Sequence, residues 1–208
     1  MREYSVVFWD FDGVVKESVS VKTAAYERLF EPFGVNIAAR VREHHECNGG
    51  MSRFEKIPLY LEWAGQAATR AEVGRICELF SAAVRQAVID SAWVPGAREY
   101  LRDNHERQHF ALISATPQKE IEDILRALDI ACWFREVHGA PTPKAVAIAA
   151  VLARWACRPE DALLIGDSES DSKAAAMTGV HFLLRRTALN VALQRAYAGP
   201  QCENFIDG

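Results

Sequence analysis

Two short acidic stretches carry the residues in this chain best suited to chemistry. Residues 10–15 read DFDGVV and place Asp10 and Asp12 on either side of one phenylalanine. Residues 166–171 read GDSESD and place Asp167 and Asp171 around a polar run that includes Glu169. Between the two stretches lie a hydroxyl, Ser114 in the run LISAT with Ala115 and Thr116 after it, and a basic residue, Lys144 in PTPK. Carboxylates gathered at one place repel one another, and a bound phosphate dianion adds to that repulsion. Such a set is workable only with compensating cations. Lys144 supplies one charge, and a hard divalent ion that prefers oxygen ligands, Mg2+ before others, supplies the rest.

These residues converge only if the chain folds so as to bring them to one edge. Residues 4–9 (YSVVFW) are apolar, β-branched and aromatic without helical period, and read as a buried strand ending at Asp10. After Val94 the pattern alternates between helix and strand. Helices are expected near 96–106, from Thr116-Pro117 to about Leu128, over 143–156 and near 170–177, and strands over 109–115, 135–138, 161–167 and 180–185. That alternation predicts a parallel sheet with right-handed crossovers, the architecture of a Rossmann-like three-layer α/β core. Ligands of such sheets sit outside the carboxyl ends of the strands, where Asp10, Asp12, Ser114, Asp167 and Asp171 all fall.

The first two strands are separated by far more chain than the dozen or more residues a crossover needs. From about Ser18 to Asp90 the pattern is helical, with stretches at 21–33 and 53–65 and an apolar stripe along 70–90. The run HHECNGGMSR is expected to be a polar loop between two of these helices. The surplus reads as an α-helical cap domain over residues 17–92, inserted into a core made of 1–16 and 93–208, with hinges near 15–18 and 90–95. The C-terminal run GPQCENFIDG is left undecided between packing and fraying.

Composition narrows the class. The chain has 208 residues, 50% hydrophobic and 25% charged, and a formal charge of −4 from 24 basic and 28 acidic side chains. This is globular composition. The acidic balance argues against nucleic acid and anionic membranes as partners. Five cysteines without Cys-x-x-Cys spacing argue against a disulfide framework or a thiolate zinc site, and a cytoplasmic setting is expected. The first apolar run stops at Asp10, too early for a secretory signal or membrane span. There is no Gly-x-Ser-x-Gly elbow, P-loop or dinucleotide fingerprint.

DFDGVV, LISAT, a lone lysine and GDSESD, in that order, resemble the four motifs of the haloacid dehalogenase-like superfamily, in its phosphoglycolate phosphatase and β-phosphoglucomutase branch. The resemblance covers most of the chain. It implies that Asp10 is a nucleophile forming an aspartyl-phosphate, and that Asp12 is the acid and then the base. It implies phosphate binding by Ser114, Ala115 and Lys144. Mg2+ would be held by Asp10, the backbone carbonyl of Asp12, Asp167 and Asp171, the last directly or through water. Two departures from the family pattern stand out. Lys144 follows a short Pro-Thr-Pro loop instead of preceding a proline. Lys22 stands where the mutases carry a histidine, which together with the Gly-Asp-Ser start of the fourth motif favours a phosphatase over a mutase. The second aspartate, Asp12, sets the chain apart from dehalogenases and phosphonate-cleaving relatives.

In the cap, Gly50-Met51-Ser52-Arg53 resembles the mutase loop whose arginine holds a non-reacting phosphate, so Gly50 and Arg53 are candidate substrate residues. His44, His45, Asn48 and Lys56 belong to the same neighbourhood, and Lys16 and Lys22 read equally as charges at the cleft mouth or as solvated lysines. The expected substrate is a small hydrophilic organophosphate, a sugar phosphate or a phosphoglycolate-like ester. The run HHECNGGMSRFEK resembles members linked to surface-polysaccharide sugar metabolism, which tilts toward the sugar. A non-catalytic binding protein on the same fold is the alternative from another class. Monomer and homodimer both stay open.

Overall fold

The computed structural model describes residues 4–206. Its centre is the strand β1 (Val6–Trp9), buried along its whole length. Alternate side chains of a strand face opposite ways. Val7 and Trp9 enter one hydrophobic cluster, and Val6 and Phe8 enter the other. β1 pairs in parallel with both β2 (His109–Pro117) and β4 (Ala162–Gly166). With β3 (Glu136–Ala140), β5 (His181–Arg185) and β6 (Gln201–Cys202) these strands make a six-stranded sheet in the order β3-β2-β1-β4-β5-β6. All five pairings are parallel.

Helices cover both faces. α5 (Ala97–Asn104) and α6 (Gln118–Ala127) contribute Leu101, Ile121, Ile124 and Leu125 to the cluster beneath Val7 and Trp9. α7 (Lys144–Arg154) and α8 (Glu169–Thr178) bury Ala147, Ile148, Val151, Ala174 and Ala175 against Val6 and Phe8. The expected three-layer core is thus present.

The insert consists of α1 (Val19–Phe30), α2 (Val35–Cys47), α3 (Arg53–Trp63) and α4 (Arg70–Asp90). α4 buries Ile76, Phe80, Val84 and Val88, a stripe of period four, and Thr69 caps its start by accepting the Glu72 N–H at 3.2 Å. α3 starts with a capping box between Ser52 and Glu55. The two crossings between core and insert run side by side, with Glu17 N–H donating to Ala92 O at 2.8 Å and Val94 N–H to Val15 O at 3.1 Å.

Two expectations need correction, and the open question of the tail is answered. The helix expected over 21–33 ends at Phe30, because Pro32 forces a short 3-10 turn and Gly34 takes a φ of 111°. The HHECNGGMSR run is not all loop. His44 to Cys47 close α2, a helix whose buried residues are only Ala38, Val41 and His45, too few to show as a stripe. The tail packs. β6 extends the sheet, and Phe205 lies 5.3 Å from the Trp9 ring.

Candidate active site

Each acidic motif is a strand end. Asp10 leaves β1 with its N–H bonded to Ile165 O at 2.9 Å, so it sits beside the end of β4, and its side chain is buried. Gly13 turns the chain with a φ of 75°, and a Cβ there would stand 2.2 Å from Asp167 Oδ2. Only glycine lets the first loop lie that close to the second. Asn190 donates to the Asp167 carbonyl at 2.7 Å and fixes this loop from the C-terminal side.

Asp10, Asp167 and Asp171 bring carboxylate oxygens within 4.8 Å of one another. Lys144, at the start of α7, reaches into this group with Nζ 2.9 Å from Asp10 Oδ2 and 2.5 Å from Asp171 Oδ1. Burial and the neighbouring Asp171 and Asp12 push Asp10 up to about 7, although Lys144 opposes them. Asp167 is raised well above its ordinary range by burial and by the neighbouring Asp10, Asp171 and Asp12 carboxylates. Burial works against the Lys144 charge, but Asp10 and Asp171 outweigh it and raise its pKa. Asp171 is already engaged on both oxygens, since Oδ2 accepts from Ser168 N–H at 3.1 Å and from Ser168 Oγ at 2.5 Å. It therefore holds Lys144 and caps α8 as well as adding charge.

Asp12 has a separate set of partners. Lys22 Nζ is 2.5 Å from its Oδ2, Ser18 Oγ donates to Oδ1 at 2.5 Å, and Thr116 Oγ1 donates to Oδ2 at 3.2 Å. Burial raises the Asp12 pKa, but the Lys22 charge and these hydrogen bonds reverse the sign and hold it below the usual range. Lys22 is buried and also donates to Thr116 at 2.8 Å. It is a site residue, not a solvated lysine at the mouth.

A charge count tests the fit of a divalent cation. Lys22 matches Asp12, and Lys144 offsets one of Asp10, Asp167 and Asp171. With all four carboxyls ionised, two negative charges are left over among oxygen donors only, which suits a hard divalent ion such as Mg2+. Asp10 and Asp167, with the Asp12 carbonyl, are the groups that would hold it.

Ser114 is buried, and its Oγ accepts the Thr116 N–H at 3.1 Å, which leaves the hydroxyl proton available to a ligand. Ala115 lines a recess of about 20 Å³ together with Asp10, Asp12, Lys22, His45 and Asp167. A second recess of about 30 Å³ continues from it toward the cap, with Arg53, Lys56, Tyr26 and Thr116 on its walls. Beyond the cap loop a wider, open groove of about 550 Å³ runs past Asn48, Gly50, Asp167 and Glu169.

Gly50 closes the cap onto the core. A Cβ there would meet Ser170 Oγ at 1.9 Å and Ser168 Oγ at 2.4 Å. Arg53 lines the second recess, yet its guanidinium is held by a core residue, with NH2 2.5 Å and NH1 2.8 Å from the Glu120 carboxylate, and it donates to Ser81 at 2.5 Å. Several other candidates have structural partners. Lys16 donates to Ile89 O at 2.9 Å beside the hinge, His44 bonds Tyr60 OH at 3.0 Å, and Asn48 caps α2 through His44 O at 2.9 Å. Glu169 pairs with Lys173 on the surface at 2.8 Å. Sequence reasoning passed over Ser18, Glu120 and the role of Thr116. For Ser18 the only signal was its place just before a helix.

Comparison with known proteins agrees with this arrangement. A profile of haloacid dehalogenase-like hydrolases matches residues 4–179. A phosphoglycolate phosphatase of Pseudomonas fluorescens is 26% identical over 84% of this chain, which spans 66% of that relative's length. A phosphorylated carbohydrates phosphatase of Thermotoga maritima is 27% identical over 84% of this chain and 81% of its own. Among solved structures, a predicted phosphoglycolate phosphatase from Haemophilus somnus superimposes with a TM-score of 0.77 at 17% identity, covering 100% of this chain and 97% of its own. A β-phosphoglucomutase from Clostridium difficile gives 0.76 at 19% identity, covering 97% and 92%. These structures show the shared fold. With the strand-end aspartates, the buried lysine and the helical insert all in place, the chain belongs to the haloacid dehalogenase-like hydrolase family.

Proposed function

We propose that this protein is a Mg2+-dependent phosphatase that hydrolyses a small phosphate monoester through an aspartyl-phosphate on Asp10. The observation that carries this reading is Lys144 bridging Asp10 and Asp171 beside Asp167, with Asp12 two positions along the same loop. Lys144 holds Asp10 Oδ2, which leaves the other oxygen to attack phosphorus while the ester P–O bond breaks. The leaving oxygen takes a proton from Asp12. Asp12 then removes a proton from water, whose oxygen attacks the acyl phosphate and releases inorganic phosphate, returning Asp10 as a carboxylate. The structure holds Asp12 as the carboxylate, its form for the second step. For the first step it must enter protonated, with its Lys22 contact loosened. In this reading Ser114 and the Ala115 backbone receive the phosphoryl oxygens. Bound Mg2+ would neutralise phosphoryl charge as the transition state forms.

The names of the two phosphatase relatives support a phosphoglycolate-like ester or a sugar phosphate as substrate. Free cysteines and the lack, among the described residues, of a helix long and apolar enough to cross a membrane are consistent with the cytoplasm. The test is phosphate release from a panel of small esters with and without Mg2+. Release should require Mg2+ and fall at least about a thousandfold in Asp10→Asn. No release from any ester would sink the phosphatase. Interconversion of a phosphosugar without net release would mark a mutase.

A further inference from the structure

Three cations line the recess between cap and core, and their partners differ. Lys22 is neutralised by Asp12, and Arg53 by Glu120. Lys56, on α3, is buried, and among the described residues no carboxylate pairs with it. Among the described residues its Nζ bonds only His45 Nδ1, at 2.8 Å. While Lys56 is protonated its ammonium has no lone pair, so Nδ1 accepts and the imidazole proton lies on Nε2. His45 is buried too, and among the described residues its Nε2 has no partner. The recess wall thus carries one unmatched positive charge and one unused N–H, a costly arrangement unless a ligand completes it.

From this geometry we infer that the substrate carries a carboxylate, bound in the recess against Lys56 with His45 Nε2–H as a second donor. The inference rests on the phosphatase reading and narrows its substrate to phosphate esters of small hydroxy acids. Two features favour a carboxylate over a second phosphate. The charge left to match is a single one. A space of about 30 Å³ holds roughly two water-sized groups, which suits the two oxygens of a carboxylate. Burial without a partner also pulls Lys56 down to about 7, and an anion beside it would restore its charge.

Steady-state kinetics on matched esters test the assignment. Phosphoglycolate is compared with 2-hydroxyethyl phosphate, which lacks the carboxylate, and with ethane-1,2-diol bisphosphate. The wild-type protein should prefer phosphoglycolate over the neutral ester by about 10- to 100-fold in kcat/KM, the range of a hydrogen-bonded charge. In Lys56→Met that ratio should drop at least about tenfold, mainly through KM, and in His45→Gln by a smaller factor. Equal kcat/KM for the carboxylate and neutral esters in the wild type would overturn the assignment whether or not the variants fold. So would a preference that survives both substitutions, or a preference for the bisphosphate. If no ester is turned over, p-nitrophenyl phosphate included, the phosphatase reading fails. Calorimetric binding of phosphoglycolate and hydroxyethyl phosphate to the Asp10→Asn protein then decides the subsite alone. Lys56-dependent selectivity upholds it, and its absence removes it.

Discussion

Asp10 and Lys56 are both displaced toward neutral pH, from opposite directions. Asp10 rises from 3.8 to about 7, so the metal-free folded protein binds a proton that the unfolded chain releases between those values. Stability conferred by that proton is lost as pH climbs through the window. Lys56 falls from 10.5 to about 7, so the unfolded chain holds the extra proton above neutrality and stability rises again there. Thermal melts in chelator should show Tm falling from pH 5 to 7, with the fall reduced in Asp10→Asn. Mg2+ should raise Tm more above pH 7 than at pH 5, where protons compete for the same carboxylates. A Tm independent of pH and metal would refute this account. The aspartates were legible in the sequence because their spacing and strand-end context are local. Lys22 and Arg53 were only half legible. Both were visible as basic residues, but Asp12 and Glu120, which match their charges, lie on other elements.

At the scale of elements, α3 and the loop before it act as the contact face of the cap. Gly50 touches Ser168 and Ser170, whereas its neighbour Gly49 has open space around its missing Cβ. A valine at Gly50 should prop the cap away from the fourth motif, lowering kcat/KM at least about tenfold while Tm shifts by only about 2 °C. Kinetics and melts on Gly50→Val check this. A fully active variant would show that the close approach is dispensable. The sequence concealed α2 because its buried positions are few and its last turn is polar, so its composition is that of a loop. By contrast, α4 was legible because its stripe of Ile76, Phe80, Val84 and Val88 keeps to one face over about three turns.

For the whole molecule, the C-terminal segment ties the sheet edge to the hinge. Phe205 packs on Trp9 and donates its N–H to Pro95 O at 2.9 Å, next to Gly96, which a Cβ would drive to within 2.5 Å of Phe205. Phe205→Ala should cost about 2 kcal/mol, read as a Tm lower by about 5 °C. An unchanged melt would mean the tail adds little. No local pattern announces this packing, since β6 has two residues and its partner strand precedes it by a helix.

The paired crossings at Val15–Glu17 and Ala92–Val94 place the two ends of the insert side by side. To the sheet, everything between them is topologically equivalent to a hairpin turn. Chain length added or removed there changes the loop-closure entropy only logarithmically and leaves the strand register alone. The core can thus accept caps of different shape as interchangeable cassettes. Its selectivity can drift with the cassette while Asp10, Asp12 and Asp167 keep their places.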